Sequence, residues 1–291
     1  MVQIAHDPFP FIPPAAAAPN AVGAQLRGWR QRRRRSQLDL ALDAEISQRH
    51  LSFVESGRSL PSRDMVLRLA ETLNVPLRDR NALLLAAGFA PVYGERPLAD
   101  PALAGVCGMV ETIVQAHAPN PALAIDRHWT LLSANAAVAA LLAGVSDPAL
   151  LRPPVNVLRL SLHPGGLAPS TANLPAWRVH LLQRLRREVT VSGDPVLLAL
   201  LHELSAFGGD DPGREVAIDS GAVAVPLELD TRVGRLSLIS TTTVFGTPTE
   251  VTVAELAIEA FYPADAKTAS RLLQLQTSLP PVAPPEPGRM A

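Results

Sequence analysis

Apolar residues recur at helical spacing from residue 21 to residue 88, in five short runs separated by turn signals. Val22, Leu26 and Trp29 share one face of a first helix over residues 21–34. Leu38, Leu40, Ala41 and Leu42 mark a second, opened by Ser36, a residue type that caps helix N-termini with its side-chain oxygen. A third opens at Ser47 and buries Leu51 and Val54. A fourth is capped by Ser62 and turns Met65, Val66, Leu69 and Leu73 inward. The fifth follows Pro76 and stops at Gly88, which suits a helix C-terminus. The pattern predicts a compact all-α domain of five helices over residues 21–90.

Beyond it the pattern changes. The stretch FAPVYGERPLADP holds three prolines and a glycine and reads as a seam, followed by a helix over 100–117 with Leu103, Val106, Val110, Ile113 and Val114 on one side. Residues 91–121 are therefore a linker and connecting helix. PALAIDRHWTLLSAN predicts two short strands around a turn at Asp126–His128. A small helix through Leu141 and helices near 175–190 and 194–206 come next. Three strands then follow, AVAVPLEL, RLSLISTTTVF and VAELAIEAFYP, and a last helix over 265–275. Strands, helices and strands again predict an α+β domain over 122–275 with an antiparallel sheet. Residues 1–20 and 276–291, rich in Pro and Ala without apolar periodicity, are expected to be disordered.

Composition narrows the class. Hydrophobic residues make up 47% of the 291 and aromatics 4%, so the cores are built mostly from Leu, Val and Ala. A single cysteine, Cys107, excludes an internal disulfide and fits a reducing cytoplasm, as a packing residue more readily than a redox sensor. The N-terminal residues do not read as a signal peptide, and no apolar run approaches the roughly 20 residues of a membrane span. Net charge is −1, but unevenly placed: residues 1–96 hold 13 Arg against 9 Asp and Glu (+4), and residues 97–291 hold 13 Lys and Arg against 18 Asp and Glu (−5). A basic module joined to an acidic one points to nucleic acid as a partner of the first.

The candidate chemistry lies in ISQRHLSFVESGRSLPS, residues 46–62. His50 and Ser52 fall on different faces of a helix and make no base–nucleophile pair. The chain has no G-x-S-x-G elbow, dinucleotide turn or phosphate-binding loop, and its seven histidines are scattered, so neither catalytic nor metal-binding residues are assigned. Reading DNA fits instead. Two helices meet at a tight turn near 44–46, and the second exposes Gln48 and Arg49 at its N-terminal end, where a helix enters a major groove. Glutamine makes paired hydrogen bonds with adenine and arginine with guanine, each worth about 1–3 kcal/mol of discrimination. Gln37 is placed to meet a phosphate, and RQRRRR (Arg30–Arg35) offers either general backbone attraction or a solvated helix end.

LRGWRQRRRRSQLDLALDAEISQRHLSFVESGRSLPS resembles the helix-turn-helix of the Xre, phage-repressor-like family over about 55 residues, through its S-Q opening, I-S-x-x-x-L-S, E-x-G-R and P-S. The resemblance implies base contacts from Gln48, Arg49 and Phe53 and phosphate contacts from Gln37 and Arg58. Arg35 joins the phosphate set, and His50 is either a further phosphate contact or an exposed helix residue. The resemblance also implies a structural pair between Arg30 and Glu55. One departure stands out: Glu45 occupies a turn position where the family usually has glycine in left-handed backbone, at a cost of about 1 kcal/mol. A slightly rebuilt turn is expected.

NVLRLSLHPGGLAP, LPAWRVHLLQRLRREV and STTTVFGTPTEVTVAELAIEAFYPAD resemble the C-terminal ligand-binding domain of MmyB-like regulators. That resemblance implies a PAS-like sheet with a helical layer around an apolar cavity, and a fatty acid or other small apolar molecule as effector. Trp129, Trp177, Phe245 and Phe261 are candidates to line it or to fill an ordinary core. His163, in the HPGG turn, serves either the turn or a ligand. Arg178 and Arg159 are candidates for a carboxylate or for solvent, whereas Arg184, Arg186 and Arg187 read as a solvated face. Thr241 and Thr243 share one face of a strand and Thr242 the other, so Thr241 and Thr243 are the pair assigned inward.

The combined expectation is a cytoplasmic one-component transcriptional regulator. It is expected to be a homodimer on double-stranded DNA with two-fold half-sites, modulated by an apolar effector and not an enzyme. The alternative is a regulator whose C-terminal domain binds a protein partner. An enzyme with a DNA-binding appendage lacks a nucleophile or metal in the sequence.

Overall fold

Three serines decide where helices begin in the N-terminal third. The computed structural model describes residues 21–207 and 224–277, and the chain passes from a first unit to a second between Val92 and Tyr93. The tails expected to be disordered, and Ala222 and Val223 of the first late strand, lie outside the described residues, apart from the two residues by which the last helix outruns its expected end. Ser36, Ser47 and Ser62 sit in extended backbone, each hydroxyl accepting from the N–H three residues on. They open α2 (Gln37–Asp43), α3 (Gln48–Glu55) and α4 (Arg63–Thr72), each cap worth about 1 kcal/mol. The first helix, α1 (Ala21–Arg32), ends two residues before its expected end, because Arg34 turns left-handed with φ 53°. The fifth, α5 (Leu77–Ala86), ends before Gly88, whose φ of 84° favours glycine. Leu26, Leu40, Leu51, Leu69 and Leu84 are fully buried and pack with Trp29.

The turn between α2 and α3 corrects one expectation. Glu45 keeps the left-handed conformation, φ 54°, so the turn is not rebuilt around it. The Ile46 N–H donates to the Ala41 carbonyl at 2.9 Å and the Glu45 N–H to that of Leu42 at 3.1 Å. These hydrogen bonds close the turn on a residue that costs about 1 kcal/mol there.

The second unit is a PAS-like α+β domain on a five-stranded antiparallel sheet of order β2-β1-β5-β4-β3. The strands are β1 (Ala122–Ile125), β2 (Leu131–Ala134), β3 (Leu227–Thr231), β4 (Gly234–Val244) and β5 (Ala257–Pro263). Alternation gives the sheet two apolar faces. Ala122, Ala124, Ile258 and Ala260 meet Val110 and Val114 of α6 (Ala104–Ala116). Leu123, Ile125, Leu227, Leu229, Leu236 and Leu238 face the other way. Against them lie α7 (Ala136–Leu141), α8 (Val157–Leu162), α9 (Leu174–Ser192), α10 (Pro195–Ala206) and, after the last strand, α12 (Ala266–Thr277).

Two elements differ from the sequence reading. Helix α8 forms where none was expected, because the Asn156 side chain caps it and Leu158, Leu160 and Leu162 are buried. The start of the last expected strand is instead α11 (Val251–Ala254), with the Glu250 carboxylate accepting from the Val253 N–H.

Asn135, 2% exposed, joins three of these elements. Its Oδ1 accepts from the N–H groups of Ala122 and Val138, and its Nδ2 donates to the carbonyls of Val114 and Asn120. An Asn135→Ala substitution leaves several of these groups without partners, each costing about 1–3 kcal/mol. The expected loss is about 2–4 kcal/mol, read from urea unfolding followed by circular dichroism. An unchanged midpoint would mean the freed groups find other partners.

Candidate functional site

The first site grows from the cap at Ser47, which leaves the opening turn of α3 facing solvent. Gln48 and Arg49 are exposed there, with His50 half-buried beside them. One turn on, the half-buried Phe53 ring lies 5.4 Å from the Arg49 guanidinium carbon and 5.9 Å from that of Arg58, both within cation–π range. The structure thus gathers Arg49 from the first turn of α3 and Arg58 from beyond its last around the Phe53 ring. Arg35 stands at the start of α2, hydrogen-bonded to Asp43.

Beneath this surface a buried charge fixes the helix. Glu55, with 3% of its side chain exposed, receives hydrogen bonds from Arg30 Nε at 2.7 Å and Nη2 at 2.8 Å. Gln37 Nε2 donates a third at 2.8 Å, so one amide proton of this candidate phosphate contact is turned inward. Burial acts to raise the Glu55 pKa, but the hydrogen bonds from Arg30 and Gln37 outweigh it and hold the carboxyl below the usual range. Arg30 also donates to the Arg35 carbonyl at 2.8 Å. The cluster ties α3, which carries the exposed side chains, to α1 and α2.

The second site is a cavity of about 90 Å³ between the sheet and the helical layer. A water needs about 10–15 Å³ of such space, so there is room for several. Its wall is apolar, with Leu123, Leu158, Leu229, Trp129, Trp177 and Phe261 among the lining, and the polar members are Ser161, Arg184, Ser240 and Glu259. Arg184 of α9 donates to Glu259 of β5 at 2.6 and 3.1 Å and to Glu188 at 3.3 Å. Its guanidinium carbon stands 4.4 Å from the Trp129 ring centroid, and Trp129 Nε1 donates to Glu188 at 2.8 Å. Burial pushes the Glu188 carboxyl up despite these hydrogen bonds. For Arg184 burial is outweighed by Glu259 and Glu188, and its pKa rises.

Several sequence assignments change against this geometry. Thr241 and Thr243 pair with Ala260 and Ile258, whose side chains belong to the α6 face; the inward threonine is Thr242, which donates to Glu259 at 2.8 Å. Phe245 also packs on the α6 side, against the buried cluster of Leu103, Cys107 and Val253. His163 serves its turn: its Nδ1 accepts from the Gly165 N–H at 2.9 Å, and a Cβ on Gly166 would fall 2.1 Å from the Leu160 oxygen. Arg178 donates to the carbonyls of Leu204 and Ser205 at the end of α10. None of these five lines the cavity, whereas Trp177 does. Arg184, read as solvated, is instead 21% exposed and paired to Glu259, itself 5% exposed. Arg159 meets the Glu203 carboxylate of its own chain at 2.6 and 2.7 Å. Cys107 is buried, and burial pushes its thiol pKa up.

Among the described residues no group of three or more His, Cys, Asp or Glu is placed to hold a metal ion, and no helix is long and apolar enough to cross a membrane. The residues missed in the sequence, Arg184, Glu188 and Glu259, left one signal: a glutamate in the middle of the apolar strand AIEAFYP. A charge at such a position calls for a buried partner.

Residues 106–275, more than half of the chain, match the family described as MmyB-like transcription regulator ligand binding domain. Residues 26–79 match a helix-turn-helix family. Comparison with curated proteins gives no match.

Arg30→Met leaves Glu55 buried without its cation, which costs about 3–5 kcal/mol of first-unit stability. The sign with pH follows from the lowered Glu55 pKa. In the unsubstituted chain this contribution is full at neutral pH and is lost as pH falls through the lowered carboxyl range. In the variant the partnerless carboxyl titrates higher, so the stability gap between the two proteins narrows on acidification. Urea midpoints measured from neutral to acidic pH check this; a gap independent of pH would overturn it.

Proposed function

Because this chain belongs to the MmyB-like transcription regulators and carries a helix-turn-helix domain besides, we propose that its cavity takes an aliphatic, fatty-acyl-like effector whose binding shifts the affinity for DNA. The observation that carries the reading is the cavity itself, lined mostly by leucine, valine and tryptophan side chains. Ligand sites are concave and mostly apolar, with a few placed polar groups. Effector control further requires two arrangements of the protein that bind the effector with different affinities.

On the DNA side, Gln48 and Arg49 read base edges and Phe53 makes an apolar contact. Arg58, Arg35, His50 and the outer face of Gln37 meet phosphates. A homodimer placing two such helices on one face of the duplex reads half-sites related by two-fold symmetry.

Denaturing the purified protein, extracting it with organic solvent and identifying the extract by mass spectrometry tests the effector. A stoichiometric aliphatic compound that shifts DNA affinity on return to the protein is the expected result. An empty extract, with no shift of DNA affinity on adding medium-chain alcohols or acids, would favour a protein partner. For the DNA contacts, Arg49→Ala should relax preference at one base pair by about 1–3 kcal/mol. Arg58→Ala should weaken all sequences alike and flatten the salt dependence by about one unit of slope. Measured on a panel of operator variants, an equal loss on every sequence for Arg49→Ala would remove it from the base-reading set.

A further inference from the structure

The polar end of the cavity is supplied with negative charge and short of donors. A guanidinium carries five N–H groups. Those of Arg184 are used at Nε by Glu188, at Nη1 by Glu259, and at Nη2 by Glu259 and Thr242. One N–H remains. The two carboxylates offer about four acceptor positions each, and Glu259 fills some of its own with Arg184 and Thr242 and Glu188 some with Arg184 and Trp129. Formally the cluster holds one cation and two anions. Ser240, on the strand next to Glu259 and diagonal to it across the β4–β5 pairing, brings a hydroxyl to the same wall.

An incoming carboxylate would have to share Arg184 with two anions already there or displace Glu259 from a two-pronged hydrogen bond beside a mostly apolar wall. Either is unfavourable where the surroundings are apolar and charges are poorly screened. We propose that the effector's head is an uncharged hydrogen-bond donor, a hydroxyl or primary amide ending an aliphatic chain, received by Glu259 and Ser240, and that free carboxylates are selected against. This assignment rests on the reading of the cavity as the effector site. Glu259 is then a specificity residue as well as a structural one: it occupies the guanidinium that an acid would need. The upward shift of the neighbouring Glu188 is in keeping with a site that already resists negative charge.

Titrating the full chain at neutral pH with octanol, octanamide and octanoate tests the proposal, with tryptophan fluorescence as the readout because Trp129 and Trp177 line the cavity. Octanol and octanamide should bind at least about ten-fold more tightly than octanoate, a difference of about 1.4 kcal/mol. In Glu259→Gln the order should reverse, because Arg184 is released for the acid. Should this variant fail to fold, the comparison in the unsubstituted chain decides alone. Octanoate binding as tightly as octanol, or more tightly, overturns the head-group assignment and leaves the effector site standing. Failure of all three to bind overturns the effector site and the assignment with it.

Discussion

Glu55 and Glu259 are carboxylates taken out of water in units otherwise built from leucine, valine and alanine. Each is held by a guanidinium whose planar fork matches the two oxygens, Arg30 in one case and Arg184 in the other. An unpaired buried carboxylate costs several kcal/mol, so each pair constrains the elements that carry it. In the first unit that constraint sets where α3 lies on α1. In the second it fixes the spacing between α9 and β5 and so keeps one end of the cavity from being filled by apolar side chains. Lysine, a point charge without the fork, does not make the same two-pronged contact.

The two sites therefore differ in how charge is spent. On α3 the buried pair supports an exposed, cationic surface in which Arg49 and Arg58 remain available. In the cavity the guanidinium is itself part of the wall and is largely occupied. An exposed cationic surface and a largely neutralised cavity wall follow from the same residue type, separated only by the carboxylates around it.

The capped helices were legible because serine at each start has a local role that burial does not alter. Arg184 was not, since its burial depends on Glu259, 75 positions away, and the sequence around it looks like any charged helix face. The threonine run shows a subtler limit. STTT has no apolar contrast of its own, but its parity is set upstream: Leu236 and Leu238 face the helical layer, so Ser240 and Thr242 do as well. Reading the strand from its leucines rather than its threonines would have chosen the right face. Glu45 is the opposite case, a residue that disfavours its conformation but is held in it by the helices on either side.

The strand order has a consequence for how the protein is made. β5 is the last of the described strands and the central one in the sheet; until it arrives, β1–β2 and β3–β4 are separate hairpins with nothing between them. Two-stranded hairpins are marginal on their own. The first unit, by contrast, is complete by Val92. At about 5–20 residues per second, roughly ten to thirty seconds of synthesis separate Val92 from Pro263. Each new molecule thus completes its helix-turn-helix unit well before the sheet of its ligand-binding domain can close.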